Sequence, residues 1–123
     1  MEIVIPYPPS VNTYWRSIGR GRVIISKKGR EYRHAVDIAV AECFADCDND
    51  PRPLLKRLKV TIKATMPDRR RRDIDNINKA ALDAMGHAGI YGDDNQIDEL
   101  HVIRGEVLAP GCLDVEITEI DRV

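Results

Sequence analysis

Two carboxylates, Asp73 and Asp75, directly follow four consecutive arginines, Arg69, Arg70, Arg71 and Arg72, and Lys79 stands one helical turn further on. A run of guanidinium groups beside paired carboxylates points to a phosphate-rich partner and a divalent cation. Residues two apart diverge by roughly 200° around a helix but point the same way from an extended segment. The two carboxylates can therefore share an ion only outside a helix. An apolar helical period begins just after them, at Ile77, Ala81, Met85 and Ala88. It predicts a helix from Asp75 to about Ala88, with Asp75 as N-cap, Asp73 on the extended approach and Gly89 as the stop. Oxygen donors of this kind suit Mg2+ or Mn2+, which keeps several waters and takes one or two protein carboxylates. A plain cap at Asp75 or a surface ion pair at Lys79 would need no metal. Four adjacent arginines, whose charges repel, are harder to read as an ordinary solvated face.

The element that must carry this cluster is the clearest strand in the chain. Leu58, Val60, Ile62, Ala64 and Met66 alternate with Lys59, Thr61, Lys63 and Thr65, so one face is buried and the other wet. It runs straight into the arginines. Before it, Glu2 to Ile5 and Val23 to Ile25 read as short strands, and Ser26 is placed to cap a helix reaching about Ala45. Tyr32, Val36, Ala39 or Val40, Cys43 and Cys47 recur on the helix face expected to meet the sheet. Leu100 to Val107 and Leu113 to Ile120 read as two further strands, joined by the Ala-Pro-Gly turn at 109–111. These elements predict a compact α+β domain spanning 1–123, with a mixed sheet of about five strands and two helices packed on it.

A second basic stretch lies between the early strands. Ser10 to Arg22 holds Asn12, Tyr14, Trp15, Arg16, Arg20 and Arg22 around two glycines. Such a loop suits a nucleic-acid backbone, with the aromatic rings either stacking on exposed bases or pinning the loop to the core. Trp15 reads better as a core anchor. The net charge of −1 hides this partition. Residues 1–34 carry seven Lys/Arg against two Asp/Glu and residues 56–79 carry nine against three, giving +5 and +6. Residues 35–55 and 80–123 carry −4 and −8. Two long basic blocks predict a positive face despite overall neutrality.

Cys43, Cys47 and Cys112 are odd in number and form no Cys-x-x-Cys, which predicts reduced, partly buried thiols and no zinc site. No apolar run approaches the ~20 residues of a membrane span, and no signal pattern is present, so the expected location is cytoplasmic.

Taken together, these residues resemble the RusA-type Holliday-junction resolvases, a family of small endodeoxyribonucleases. The similarity begins at Pro8-Pro9-Ser10 with Asn12, Tyr14 and Arg16, and continues through Ser26, Gly29, Tyr32 and Arg33. It peaks at Met66-Pro-Asp-Arg-Arg-Arg-Arg-Asp-Ile-Asp-Asn and closes with Lys79-Ala80, Leu82-Asp83-Ala84, Ala88-Gly89, Asp93-Asp94 and Gln96. Val11 departs from the pattern, standing where a polar residue is expected. The resemblance implies that Asp73, Asp75 and Asp94 bind the metal and that Lys79 is the essential lysine. It further implies a homodimer that cuts four-way DNA junctions with Mg2+ or Mn2+. The residues alone do not separate Asp93 from Asp94. The six residues from Gly89 to Asp94 can span back along the helix only if nearly extended, and on that reach Asp94 is expected to complete its own subunit's site, with donation across the dimer as the alternative.

The chemistry asked of these residues is coherent. Phosphodiester hydrolysis needs an activated water and neutralisation of charge on the non-bridging oxygens, both of which a carboxylate-bound divalent ion supplies. Lys79 would add charge at the phosphate, while Arg69 to Arg72, with Arg16, Arg20 and Arg22, would hold DNA without reading sequence. A non-catalytic DNA-binding protein using the same basic face is the alternative. A nucleotide-dependent transferase built on Asp-x-Asp has no pocket signature behind it.

Overall fold

The computed structural model describes residues 1–121. Its centre is the predicted alternating strand, β4 (Arg57–Met66), in which Leu58, Val60, Ile62, Ala64 and Met66 are buried. β4 pairs antiparallel with β6 (Cys112–Ile120), and β6 pairs antiparallel with β1 (Glu2–Pro6). On its other side β4 pairs parallel with β5 (Ile97–Val107), completing a four-stranded mixed sheet of order β1-β6-β4-β5. A parallel pair needs a crossover, and the helix α3 (Asn78–His87) provides it. The segment that leaves the carboxyl end of β4 for α3 is the Arg69–Asp75 stretch.

The long helix α2 (Lys27–Cys43) packs Tyr32, Val36 and Val40 into the same core, together with Ala80, Ala81, Ala84 and Met85 of α3. Ser26 caps α2 as the sequence predicts, its hydroxyl oxygen accepting the Gly29 N–H at 3.0 Å. Gly29 has a specific reason to lack a side chain. A Cβ there would stand 2.5 Å from the Tyr14 carbonyl oxygen and 2.6 Å from Ile25 Cγ1, so only glycine lets α2 approach this closely.

Three expectations are corrected. The helix ends at Cys43 instead of reaching Ala45, and Cys43 and Cys47 are exposed, although the Cys43 thiol still meets the Glu2 carbonyl of β1 at 3.9 Å. Cys47 lies in the turn beyond the helix, where no helical face exists to bury it. The Ser10 to Arg22 stretch is not one loop: a single helical turn, α1 (Val11–Tyr14), leads into β2 (Trp15–Gly19), which pairs with β3 (Arg22–Ile25) as a separate ribbon. The ribbon turns at Gly19-Arg20-Gly21, all at positive φ, which is why its sequence reads as a glycine loop. The α+β class holds, with the strands divided between the sheet and this ribbon.

Candidate active site

Asp73 sits in extended backbone (φ −86°, ψ 133°) at the entry to a single 3-10 turn, Ile74–Asn76, and Asp75 lies inside that turn. The cap predicted at Asp75 is therefore corrected. α3 begins three residues later, at Asn78, and Asp75 caps nothing. Asp, Asn and Ile in succession are poor helix formers, and burial of Ile77 fixes the turn against the core, so the chain tightens before the α-helix starts. The result leaves both carboxylates exposed, and neither takes part in an ion pair among the described residues. Asp73 stands in extended backbone and Asp75 two residues on, inside the 3-10 turn.

The arginine run is organised by Asp68. Its carboxylate accepts the Arg70 backbone N–H at 2.9 Å and pairs with Arg72 Nη2 at 2.8 Å, which holds the Asp68 carboxyl below its usual range. Arg72 also lies over the Tyr7 ring at 5.7 Å, and its carbonyl accepts from Arg104 Nη2 at 2.6 Å. Arg72 is thus engaged in shaping the segment. Arg69 and Arg71 are exposed and form no ion pair among the described residues, while Arg70 reaches Asp68 only at 3.7 Å. A concavity lined by Tyr7, Ser10, Arg71, Arg72, Asp73 and Asn76 opens beside Asp73.

Lys79 is exposed in the first turn of α3, its ammonium 5.7 Å from the Trp15 ring centroid. Trp15 is half-buried against the core, as its reading as an anchor predicts. Tyr14 is fully buried, which removes it from base stacking. Its hydroxyl donates to Asp83, which also receives Arg33 Nε at 3.0 Å and Nη2 at 2.8 Å. Burial and the Asp83 hydrogen bond push the Tyr14 hydroxyl far above its ordinary range. Asp83, which the sequence places only on the polar side of α3, is thereby a structural knot joining α1, α2 and α3. Nothing local in the sequence signals a Tyr14–Asp83 contact across 69 residues.

Asp94 lies elsewhere. It opens on a cleft shared with Arg33, Asp83, Gly86, His87 and Asp93, not on the concavity beside Asp73. Among the described residues no three His, Cys, Asp or Glu side chains converge enough to hold one ion, so one subunit does not gather Asp73, Asp75 and Asp94. Asp93 caps the 3-10 turn Asp94–Gln96, accepting the Asn95 N–H at 2.8 Å while Gln96 returns a bond to the Asp93 N–H. Asp94 has no such capping duty. Burial, then Asp93 and Asp83 nearby, raise its carboxyl above the ordinary value. Arg16, Arg20 and Arg22 are all exposed on the β2–β3 ribbon. His87 is an exposed residue at the end of α3, 3.8 Å from Asp37.

Comparison with known proteins agrees across the chain. Residues 6–118 match the family model described as Endodeoxyribonuclease RusA. A crossover junction endodeoxyribonuclease of Enterobacteria phage HK97 is 43% identical over 122 residues, covering 99% of this chain and 97% of the relative. The protein of that name from Shigella sonnei is 41% identical over 119 residues, covering 97% and 94%. One from Escherichia coli is 40% identical over the same length and shares.

Proposed function

The chain belongs to the RusA endodeoxyribonuclease family, and from that premise we propose that it resolves four-way DNA junctions by metal-dependent phosphodiester hydrolysis. The observation that carries the metal part of this reading is the exposed Asp73/Asp75 pair at the carboxyl end of β4, free of ion pairs among the described residues. Ligands commonly bind beyond the carboxyl ends of parallel strands, where connecting segments can be shaped without disturbing the sheet.

The donor set fits a hard divalent ion, since two carboxylates are what Mg2+ or Mn2+ ordinarily takes from protein. Asp73 and Asp75 would hold it, and when bound it supplies an activated water and charge neutralisation at the phosphate. Lys79 donates hydrogen bonds to a non-bridging phosphate oxygen and offsets its growing charge. Arg69 and Arg71 grip the sugar-phosphate backbone, with Arg16, Arg20 and Arg22 extending the contact along the ribbon.

A junction carries two symmetry-related strands to be cut, and a two-fold homodimer presents two equal sites to them. That Asp94 opens on a different cleft from Asp73 supports donation of Asp94 to the partner's Asp73/Asp75 pair. Incubation with a labelled four-way junction and a linear duplex of the same sequence, in Mg2+, in Mn2+ and in EDTA, tests the reading. Paired nicks in the junction alone, and only with the metal, are expected. Binding without cutting would make the protein a DNA-binding module.

A further inference from the structure

One side of α3 meets an aromatic pair from the start of the β2–β3 ribbon. Lys79 and Asp83 stand four residues apart, so they share a helix face. Asp83 clamps Tyr14 through its hydroxyl, with Arg33 bonded to the same carboxylate oxygen. Tyr14 is thus immobile, and its ring meets that of Trp15 edge-on, with centroids 5.0 Å apart and planes at 77°. Backbone pairing of Trp15 with Ile25 fixes the main chain from which the indole projects. The Lys79 ammonium lies 5.7 Å from the centroid of this ring, within the roughly 6 Å over which a cation is drawn to an aromatic face.

We propose that Trp15 is a positioning residue for Lys79, its indole face holding the ammonium where it meets the phosphate; this rests on the reading of Lys79 as part of the junction-cleaving site. Two observations carry it. The indole N–H of Trp15 is buried without a hydrogen-bond partner among the described residues, a state that destabilises a fold. Phenylalanine would fill much of the same space without that penalty, so packing alone does not account for an indole here. What the indole adds is the strongest cation-attracting face of any side chain. Lys79, for its part, is exposed and has no carboxylate within ion-pair distance among the described residues. Its flexible four-carbon stem is restrained by the ring and not by a counter-charge, which keeps the full positive charge available to the phosphate. Holding the ammonium beforehand lessens the reorganisation needed as charge develops.

The test is single-turnover cleavage of a four-way junction at saturating protein by Trp15→Phe, Trp15→Leu, Lys79→Met and the Trp15→Leu/Lys79→Met double variant. Melting temperature and junction affinity without divalent ion are measured beside it. Trp15→Phe is expected to melt at or above the wild-type temperature yet cut more slowly. Trp15→Leu is expected to cut about two- to fivefold more slowly, the scale of one exposed cation–π contact, with junction affinity unchanged. In the Lys79→Met background the leucine substitution should add no further loss. Wild-type rates for both Trp15 variants would overturn the inference while leaving Lys79 in place. An equal loss from Trp15→Leu with and without Lys79 would overturn it too, because the ring would then act independently of the lysine. Full activity of Lys79→Met would remove the role of Lys79 itself, and the inference with it. If the leucine variant fails to fold, the phenylalanine variant decides, since a structural role moves rate and melting temperature together.

Discussion

Two groups of carboxylates flank α3, and they are put to opposite uses. Asp83 is half-buried and engaged through one oxygen, Oδ2, which takes the Tyr14 hydroxyl and both Nε and Nη2 of Arg33. Asp73 and Asp75 are exposed and left without ion-pair partners among the described residues. A carboxylate already paired with an arginine gains less from a cation than carboxylates left without a counter-charge. The difference separates an acid that holds the fold from the acids to which the proposed function gives the metal.

The largest effects should come from neutralising each group in turn. Asp73→Asn or Asp75→Asn is expected to slow junction cleavage by about 10²–10³-fold or more, the scale of losing one preorganised electrostatic group. Folding should be unaffected, because neither side chain has an ion-pair or hydrogen-bond partner among the described residues. Asp83→Asn should do the reverse, lowering unfolding free energy by roughly 1.5–3 kcal/mol for charge-assisted bonds to Arg33, while a refolded fraction still cuts. Denaturant titration beside single-turnover kinetics reads both. Destabilisation by Asp75→Asn equal to that of Asp83→Asn would erase the distinction.

Mixed dimers sharpen the comparison by asking where Asp94 belongs. Asp73→Asn and Asp94→Asn subunits, inactive alone, should regain one intact site per heterodimer if Asp94 crosses the interface. Persistently inactive mixtures would mean that each subunit completes its own site.

Much of this arrangement was legible in the sequence where local periodicity governs. The strict alternation of 58–66, the helical repeat of Ile77, Ala81 and Met85, the Ser26 cap and the Gly89 stop all appear as read, Gly89 at φ +84°. The exposed placement of Asp73 and Asp75 ahead of the α-helix was legible because their two-residue spacing beside the arginines is itself local. The 3-10 turn was not, since burial of Ile77 shifts the start of α3 by tertiary packing that spacing does not encode. The ribbon was half hidden, because Gly19, Arg20 and Gly21 look like a loop until β2 finds β3. Asp83 was missed as a knot because its partners come from Tyr14 and Arg33, far away in the chain.

The arginines offer a smaller test of the same division between fold and ligand. Replacing Arg69 and Arg71 with Gln should flatten the dependence of log K on log salt by about 0.9 for each phosphate that is no longer neutralised. Arg72→Gln, which removes the partner of Asp68, should change the slope less and stability more. Equal slope changes would mean that Arg72 also faces DNA.

The smallest expected effect concerns Asp94. A carboxyl whose folded value is raised binds its proton more tightly in the folded protein, so it favours folding at acid pH and opposes it as pH rises past the unfolded value. Asp94→Asn should therefore raise the melting temperature at pH 7, with the gain shrinking as the pH falls into the carboxylate range, while cleavage is lost. A gain of equal size at pH 4 and pH 7 would exclude this electrostatic origin.

The central claim is that Asp73 and Asp75, and not the Arg33-paired Asp83, hold a divalent ion. Calorimetric titration of Mn2+ into the DNA-free wild type, Asp75→Asn and Asp83→Asn proteins measures this without relying on cleavage. Mn2+ should bind the wild type and the folded Asp83→Asn protein with similar affinity, and Asp75→Asn at least tenfold more weakly. Wild-type affinity in Asp75→Asn would contradict the account.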